Sequence, residues 1–425
     1  MQIHSRFVAA QTSSRCRGLR RPGSWFAALL VTVLGCQEDV TAPTPPEAAP
    51  VLATAASALT FSQVSAGNVH SCGVTTDNRA YCWGDNDFGR LGTGSATGPE
   101  TCTGAVGPFP CSTRPAPVAG GLRFRQISAG NAYTCGVTTG YRAYCWGWNG
   151  SGQLGDGTTG TTRLAPVPVA GGRQFSRVEV NLNHTCGLSY PDGRAYCWGI
   201  NTYGQLGDGT TTQRRTPVAV SGTRSFHEVS EGWDHTCGVT TDDRAFCWGR
   251  NNSGQIGDSS TASRRLTPTR VGARHYRQLD TGDNHACAVA DDHRAYCWGD
   301  GRGGQIGNGR AYLSFWPRLV SGGHLFDAVT AGAGHTCGET TTNRAYCWGV
   351  GGLGQLGDGT NTGQLKPVAV AGGLSFAQVS AGNDHTCGRQ SSTNKAYCWG
   401  YNFFGELGDG TRTSRSTPTA VVGPA

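Results

Sequence analysis

Most of this chain is built from short runs in which apolar and polar residues alternate, each cut off by Gly, Asn, Asp or Pro. One stretch shows the pattern clearly. Pro166–Val169 is followed by a Gly-Gly turn, then Phe175–Val180, a tight corner, His184–Leu188, a turn, Arg194–Gly199 and a loop, 201–210. Period-two runs of this length bounded by turn residues predict β-strands. No helical period is present, and 66 Gly against a single Met leave little room for long helices. The same block returns along the chain. A Cys, nine or ten residues and then Cys-Trp-Gly recur seven times, the first Cys falling at 72, 135, 186, 237, 287, 337 and 387. Four short strands in each of seven units predict an all-β fold, a seven-bladed β-propeller of four-stranded antiparallel blades. The strand nearest the C-terminus, Thr417–Val421, is expected to complete the blade begun at Phe61 and so close the ring.

The cysteines fit that geometry. Fourteen of the eighteen form the local pairs Cys72–Cys82, Cys135–Cys145, Cys186–Cys197, Cys237–Cys247, Cys287–Cys297, Cys337–Cys347 and Cys387–Cys398. In an antiparallel hairpin, directly opposed residues come within disulfide reach. The extra residue of the third unit falls in the turn Tyr190-Pro-Asp-Gly193, so its two Cys still oppose one another. Cys102 and Cys111 lie in the one long insertion, at about 95–113. Cysteine-built zinc sites use C-x₂₋₄-C spacing, which none of these pairs has. The reading is therefore one disulfide per repeat, an oxidising compartment, no metal and no cofactor.

The N-terminus supplies a route to that compartment. Five Arg and no acid precede the apolar run 25–35, which is too short to span a membrane and reads as an export signal. Its end, Val33-Leu34-Gly35-Cys36, resembles the lipobox of bacterial lipoproteins, which implies lipidation of Cys36 and loss of Cys16 with the signal; an ordinary signal peptide is the alternative. The expected organisation is a signal at 1–35, an Ala/Pro/Thr-rich tether at 36–58 and the propeller at 59–425, a monomer touching the membrane through its lipid only. The net charge of +7 drops to +2 once residues 1–35 and their five Arg are removed, which argues against nucleic acid as a partner.

The loop phrase Gly-Gln-Leu-Gly-Asp-Gly-Thr at 152–158, 204–210 and 354–360, the preceding Trp-Gly-x-Asn and the corner Ala-Gly-Asn-x-His resemble the regulator of chromosome condensation repeat. The resemblance covers residues 59–425 and implies a seven-bladed propeller. Departures are Tyr133 in place of the corner His, Gly301 and Gly351 in place of Asn, and the strand cysteines, which the family usually lacks. The family includes a nuclear exchange factor for a small GTPase. That activity does not carry over to an exported chain whose only insertion lies near 95–113, because fold does not fix function.

Alternating strand directions place the corners and the post-Trp-Gly loops on one face. That face carries the residues that differ between repeats, and variable loops on a constant scaffold are where binding resides. Aromatics and Arg anchor interfaces. The candidate partner-binding residues are Phe88, Tyr133, Trp148, Tyr203, Trp233, Arg250, Tyr401, Phe403 and Phe404; the alternative is that these rings pack between blades. The partner expected is a protein, with a carbohydrate or cell-wall polymer, or a secreted enzyme to be inhibited, as alternatives. The corner imidazoles (His70, His184, His235, His285, His335, His385) lie one to a repeat, so they read as structural rather than as a metal ring. Asp85-Asn86-Asp87 lacks the Gly and terminal Glu of a calcium loop. No nucleophile–base pair or phosphate loop is recognisable, so no catalytic residue is named and the chain reads as a non-enzyme.

Overall fold

A computed structural model describes residues 59–104 and 107–424. The expected signal peptide and tether, with Cys16 and Cys36, fall outside them. The described part is an all-β propeller with four-stranded antiparallel blades, of which the third repeat is typical. Its strands Phe175–Val180, His184–Ser189, Ala195–Gly199 and Arg214–Ala219 pair in chain order.

The phase of the blades differs from the one expected. The strand Arg163–Pro168, read from sequence as the opening of the third unit, pairs with Ala143–Gly147 and completes the preceding sheet. The Gly171-Gly172 turn therefore lies between sheets and not within one. Both glycines have positive φ, which lets the chain leave one sheet and enter the next in two residues.

The count of seven four-stranded blades is overturned. The strands form six hydrogen-bonded sheets: four are four-stranded, one has five strands and one has seven. The seven-stranded sheet arises because the fifth repeat lacks the Gly-Gly turn. Arg264–Thr281 runs as one 18-residue strand that pairs with Arg244–Arg250 on one side and His285–Ala290 on the other. The fifth strand of the first sheet comes from the insertion, where Glu100–Gly104 pairs with Gly107–Pro117.

Ring closure also differs from expectation. Arg415–Ala420 pairs with Ala396–Gly400 in its own sheet and does not complete the sheet that begins at Phe61. Instead, Phe61–Ala66 packs against Phe376–Ala381. The seam is joined by Gln378, whose amide accepts from Val64 N at 3.1 Å and donates to Val64 O at 3.0 Å. Gln63 and Gln126 make the same two-way bridge to Ile127 and Val178. The closing junction thus repeats the chemistry of the internal ones.

All seven hairpin disulfides form between residues in register, with Cα atoms 4.0–4.1 Å apart. The separation of eleven in the third and seventh pairs changes nothing at the bond, so the turn absorbs the extra residue. Cys102–Cys111 is a diagonal link with Cα atoms 5.9 Å apart.

Candidate functional site

The loop face is held by one repeated device. In each Cys-Trp-Gly the Trp is fully buried and donates from Nε1 to a carbonyl in the loop of the preceding repeat; Trp248, for example, donates to Gln205 O at 2.9 Å. Thr236 donates to the same carbonyl at 2.8 Å. Since that hydroxyl is already donating, it accepts from Nε2–H of His184 at 2.9 Å. Equivalent contacts join His70 to Thr134, His285 to Thr336, His335 to Thr386 and His385 to Ser71. The corner imidazoles are therefore latches between repeats. Burial holds them neutral, pushing His184, His335 and His385 down to about 3.

His235 is the exception. Its partner position is Ala286, and neither of its ring nitrogens has a hydrogen-bond partner. The loop glycine before each latch must also be glycine: a Cβ on Gly207 would lie 2.7 Å from Trp248 Nε1.

Each residue after Cys-Trp-Gly donates its amide to a corner carbonyl: Asp85 to Val69, Trp148 to Ala132, and Tyr401 to Asp384, at 2.9–3.0 Å. Corners and post-Trp-Gly loops thus share one end of the molecule. On that face Phe88 and Trp233 are 47% and 43% exposed. Trp148 is half-buried and packs on Phe88 with ring centroids 4.9 Å apart. Arg250 lies over the Tyr203 ring at 5.1 Å and pairs with Asp234 at 3.3 Å. Tyr401, Phe403 and Phe404 form one half-buried cluster.

Two residues that sequence reasoning missed complete that cluster. Phe109, from the insertion, stacks on Phe403 at 5.8 Å and meets Phe404 edge-on at 5.3 Å. Arg412 covers Phe403 at 4.8 Å. Tyr133 leaves the candidate set: it is fully buried, and its hydroxyl donates to His184 O at 2.5 Å. It fills a latch position, so its side chain runs between sheets and not toward solvent.

The Asp-Gly-Thr loops, and Asp258-Ser-Ser in their place in the fourth repeat, use their carboxylates internally. Asp156, Asp208 and Asp258 pair with Arg163, Arg214 and Arg265 at 2.5–2.8 Å. Burial works against the charge of Asp208, but hydrogen bonds from Thr210 and Arg214 outweigh it and hold that carboxyl below its ordinary range.

The inner strands of successive repeats also enclose an axial cavity of about 240 Å³ that opens among the corners, with a second of the same size adjoining it. The inner-strand positions equivalent to Gln63 and Ser65 are Ser, Thr or Gln in most repeats. The third to fifth repeats instead contribute Arg177, Glu179, Glu228, Glu231 and Asp280. Arg177 contacts Glu179 and Glu228, each at 3.1 Å.

Comparison with known proteins agrees with this geometry. The family model described as RCC1-like domain matches residues 173–425. Models of the regulator of chromosome condensation (RCC1) repeat match 61–90 and 124–153, and 77–137 and 142–188. The ultraviolet-B receptor UVR8 of Arabidopsis thaliana is 33% identical over 184 residues, 42% of this chain and 39% of the receptor. The E3 ubiquitin-protein ligase HERC2 of Homo sapiens is 30% identical over 179 residues, 41% of this chain and 3% of the ligase. The chain therefore spans well under two thirds of the length of either relative. Yeast RCC1 (Prp20), solved bound to Kap60, is similar in fold, with a TM-score of 0.69 and 20% identity over 80% of this chain and 83% of that one. Human WBSCR16 gives 0.69 at 19% identity, over 79% and 88%.

Proposed function

The chain belongs to the RCC1-like domain family, and on that premise we propose that it is a non-catalytic scaffold, exported and lipid-anchored through Cys36, whose loop face binds a protein. RCC1-like propellers commonly bind protein partners, and yeast RCC1 is solved with Kap60 on it. The observation that carries the reading is the set of aromatic rings on one face: exposed Phe88 and Trp233, and the half-buried cluster of Phe109, Tyr401, Phe403 and Phe404.

Such rings supply large contact area at little cost in conformational entropy. The stapled hairpins and His–Thr latches beneath them limit the ordering that binding would require. Eight disulfides agree with an oxidising compartment, and the charge of +2 left after the signal agrees with a partner other than nucleic acid.

The test is affinity capture from cell-envelope extract with the full-length protein and with Trp233→Ala, Phe88→Ala and Tyr401→Ala variants. A protein retained by the wild type and lost from folded variants supports the reading. Retention of cell-wall polysaccharide in its place would reassign the same rings to carbohydrate stacking.

A further inference from the structure

The axial cavities carry an unbalanced charge that the loop-face reading does not use. Among the residues lining them, Arg177 is the only cation, against six carboxylates: Glu179, Glu228, Glu231, Asp280, Asp283 and Glu339. Arg177 is already committed to Glu179 and Glu228. Asp280 accepts from Ser230 Oγ at 2.6 Å and from Ala331 N at 2.9 Å, which are neutral donors.

Glu231 has nothing. It is 4% exposed, neither carboxylate oxygen has a hydrogen-bond partner, and it stands where the first, second and sixth repeats have Ala66, Ala129 and Ala331. Burial and repulsion from Glu179 and Asp280 outweigh the attraction of Arg177 and hold the Glu231 carboxyl well above the ordinary range. An unpaired buried carboxyl costs several kcal/mol unless it is protonated or meets a cation. At the mouth, Trp233 exposes its indole beside Asp283, to whose carbonyl its amide donates at 3.2 Å. Burial, with repulsion from Asp384 and Asp234, pushes Asp283 up to about 6. Burial likewise pushes Glu179 up to about 7.

We propose that this axial channel binds an elongated alkylammonium, with one ammonium near Asp280 and Glu231 and another between Asp283 and the Trp233 face. A metal ion fits less well. Calcium needs several oxygens converging within about 2.6 Å of one point, and among the described residues the only tight group of potential metal ligands is Glu100 with Cys102 and Cys111, which are bonded to each other. The carboxylates are instead strung along the channel. Asp280 lies near the end of the strand Arg264–Thr281 and Asp283 on the corner that follows it, so the two carboxylates come from different elements lining the channel. An aromatic face at the mouth suits an organic cation. The same chemistry is offered by a free polyamine or by a lysine side chain of another protein.

The test is calorimetric titration of the full-length protein at about 0.15 M salt, where exposed charges are screened, with spermidine in one arm and a capped lysine tripeptide in the other. Saturable binding in either arm, weakened at least tenfold by Asp283→Asn and by Trp233→Ala but unchanged by Asp77→Asn on the opposite face, is the expected result. Spermidine alone binding identifies a free polyamine, and the peptide alone identifies a partner's lysine. No saturable binding in either arm, equal binding by Asp283→Asn, or displacement by equimolar calcium overturns the proposal. Asp283 and Trp233 lie at the mouth, so the test does not depend on altering the buried carboxylates.

Discussion

Nε2 of His335 and Oγ1 of Thr386, 51 residues apart in sequence, lie 2.8 Å apart. Thr386 passes the interaction on to Gln355 O, the carbonyl that Trp399 also reaches. One buried triad therefore joins two hairpins and the loop between them. It works only if the hydroxyl is present, because the imidazole is otherwise stranded away from water.

The fifth repeat tests this directly. Ala286 leaves His235 without a partner, so Ala286→Thr is expected to stabilise the protein by about 1 kcal/mol. Thr336→Ala strands His285 and is expected to cost about 1–3 kcal/mol. Urea denaturation of the two variants against wild type reads both signs.

Acid stability follows from the same imidazoles. Burial holds His235 near 3 and His285 near 4, whereas unfolded imidazoles titrate near 6.5. The unfolded chain therefore takes up protons that the folded chain refuses, and stability falls as pH drops below about 6.5. Glu339 and Glu406 act in the opposite sense. Burial pushes both up to about 8, so their contribution is full below about 4.5 and is lost as pH rises towards 8. Thermal melts across pH should show a maximum between about 5 and 7. Glu406 stands where five of the other latch loops have Gln and the first has Arg90, and its Oε1 has no partner. Glu406→Gln should therefore gain about 2 kcal/mol at pH 8 and nothing at pH 4.

The disulfides close short loops inside hairpins that are already paired. Replacing Cys237 and Cys247 together by Ser should cost about 2–3 kcal/mol without opening the ring, because the latch through Trp248 and Thr236 remains. A lowered denaturation midpoint with an unchanged far-ultraviolet spectrum is the expected signature.

The seam between the chain ends depends on Gln378. Removing its amide with Gln378→Ala breaks two hydrogen bonds to Val64 and should cost about 2 kcal/mol. Hydrogen exchange should rise first in Phe61–Ala66, the strand that carries the closure.

Much of this was legible in the sequence. The spacing of Cys72 and Cys82 within a period-two run already implied opposed residues in a hairpin, and strand alternation already put Trp148 and Trp233 on one face. The blade phase was not legible, because a Gly-Gly turn looks the same whether it joins strands within a sheet or leads from one sheet to the next. The sheet count failed with it, since Arg264–Thr281 reads as two short strands until the missing turn is noticed. Phe109 was missed because its partners, Phe403 and Phe404, come near only when the ring closes. Tyr133 could have been excluded: it occupies a His position, and that position points between sheets. Aligning the seven copies at Ser65 would likewise have exposed Glu179 and Asp280 as departures.

Binding through the loop face is the central claim, and capture of a partner from envelope extract by the wild-type protein beside the Trp233→Ala and Tyr401→Ala variants tests it most directly. The account predicts a protein held by the wild type, lost or weakened at least tenfold with either variant, while both variants melt within a few degrees of wild type. A partner retained equally by all three would place the interaction elsewhere and contradict it.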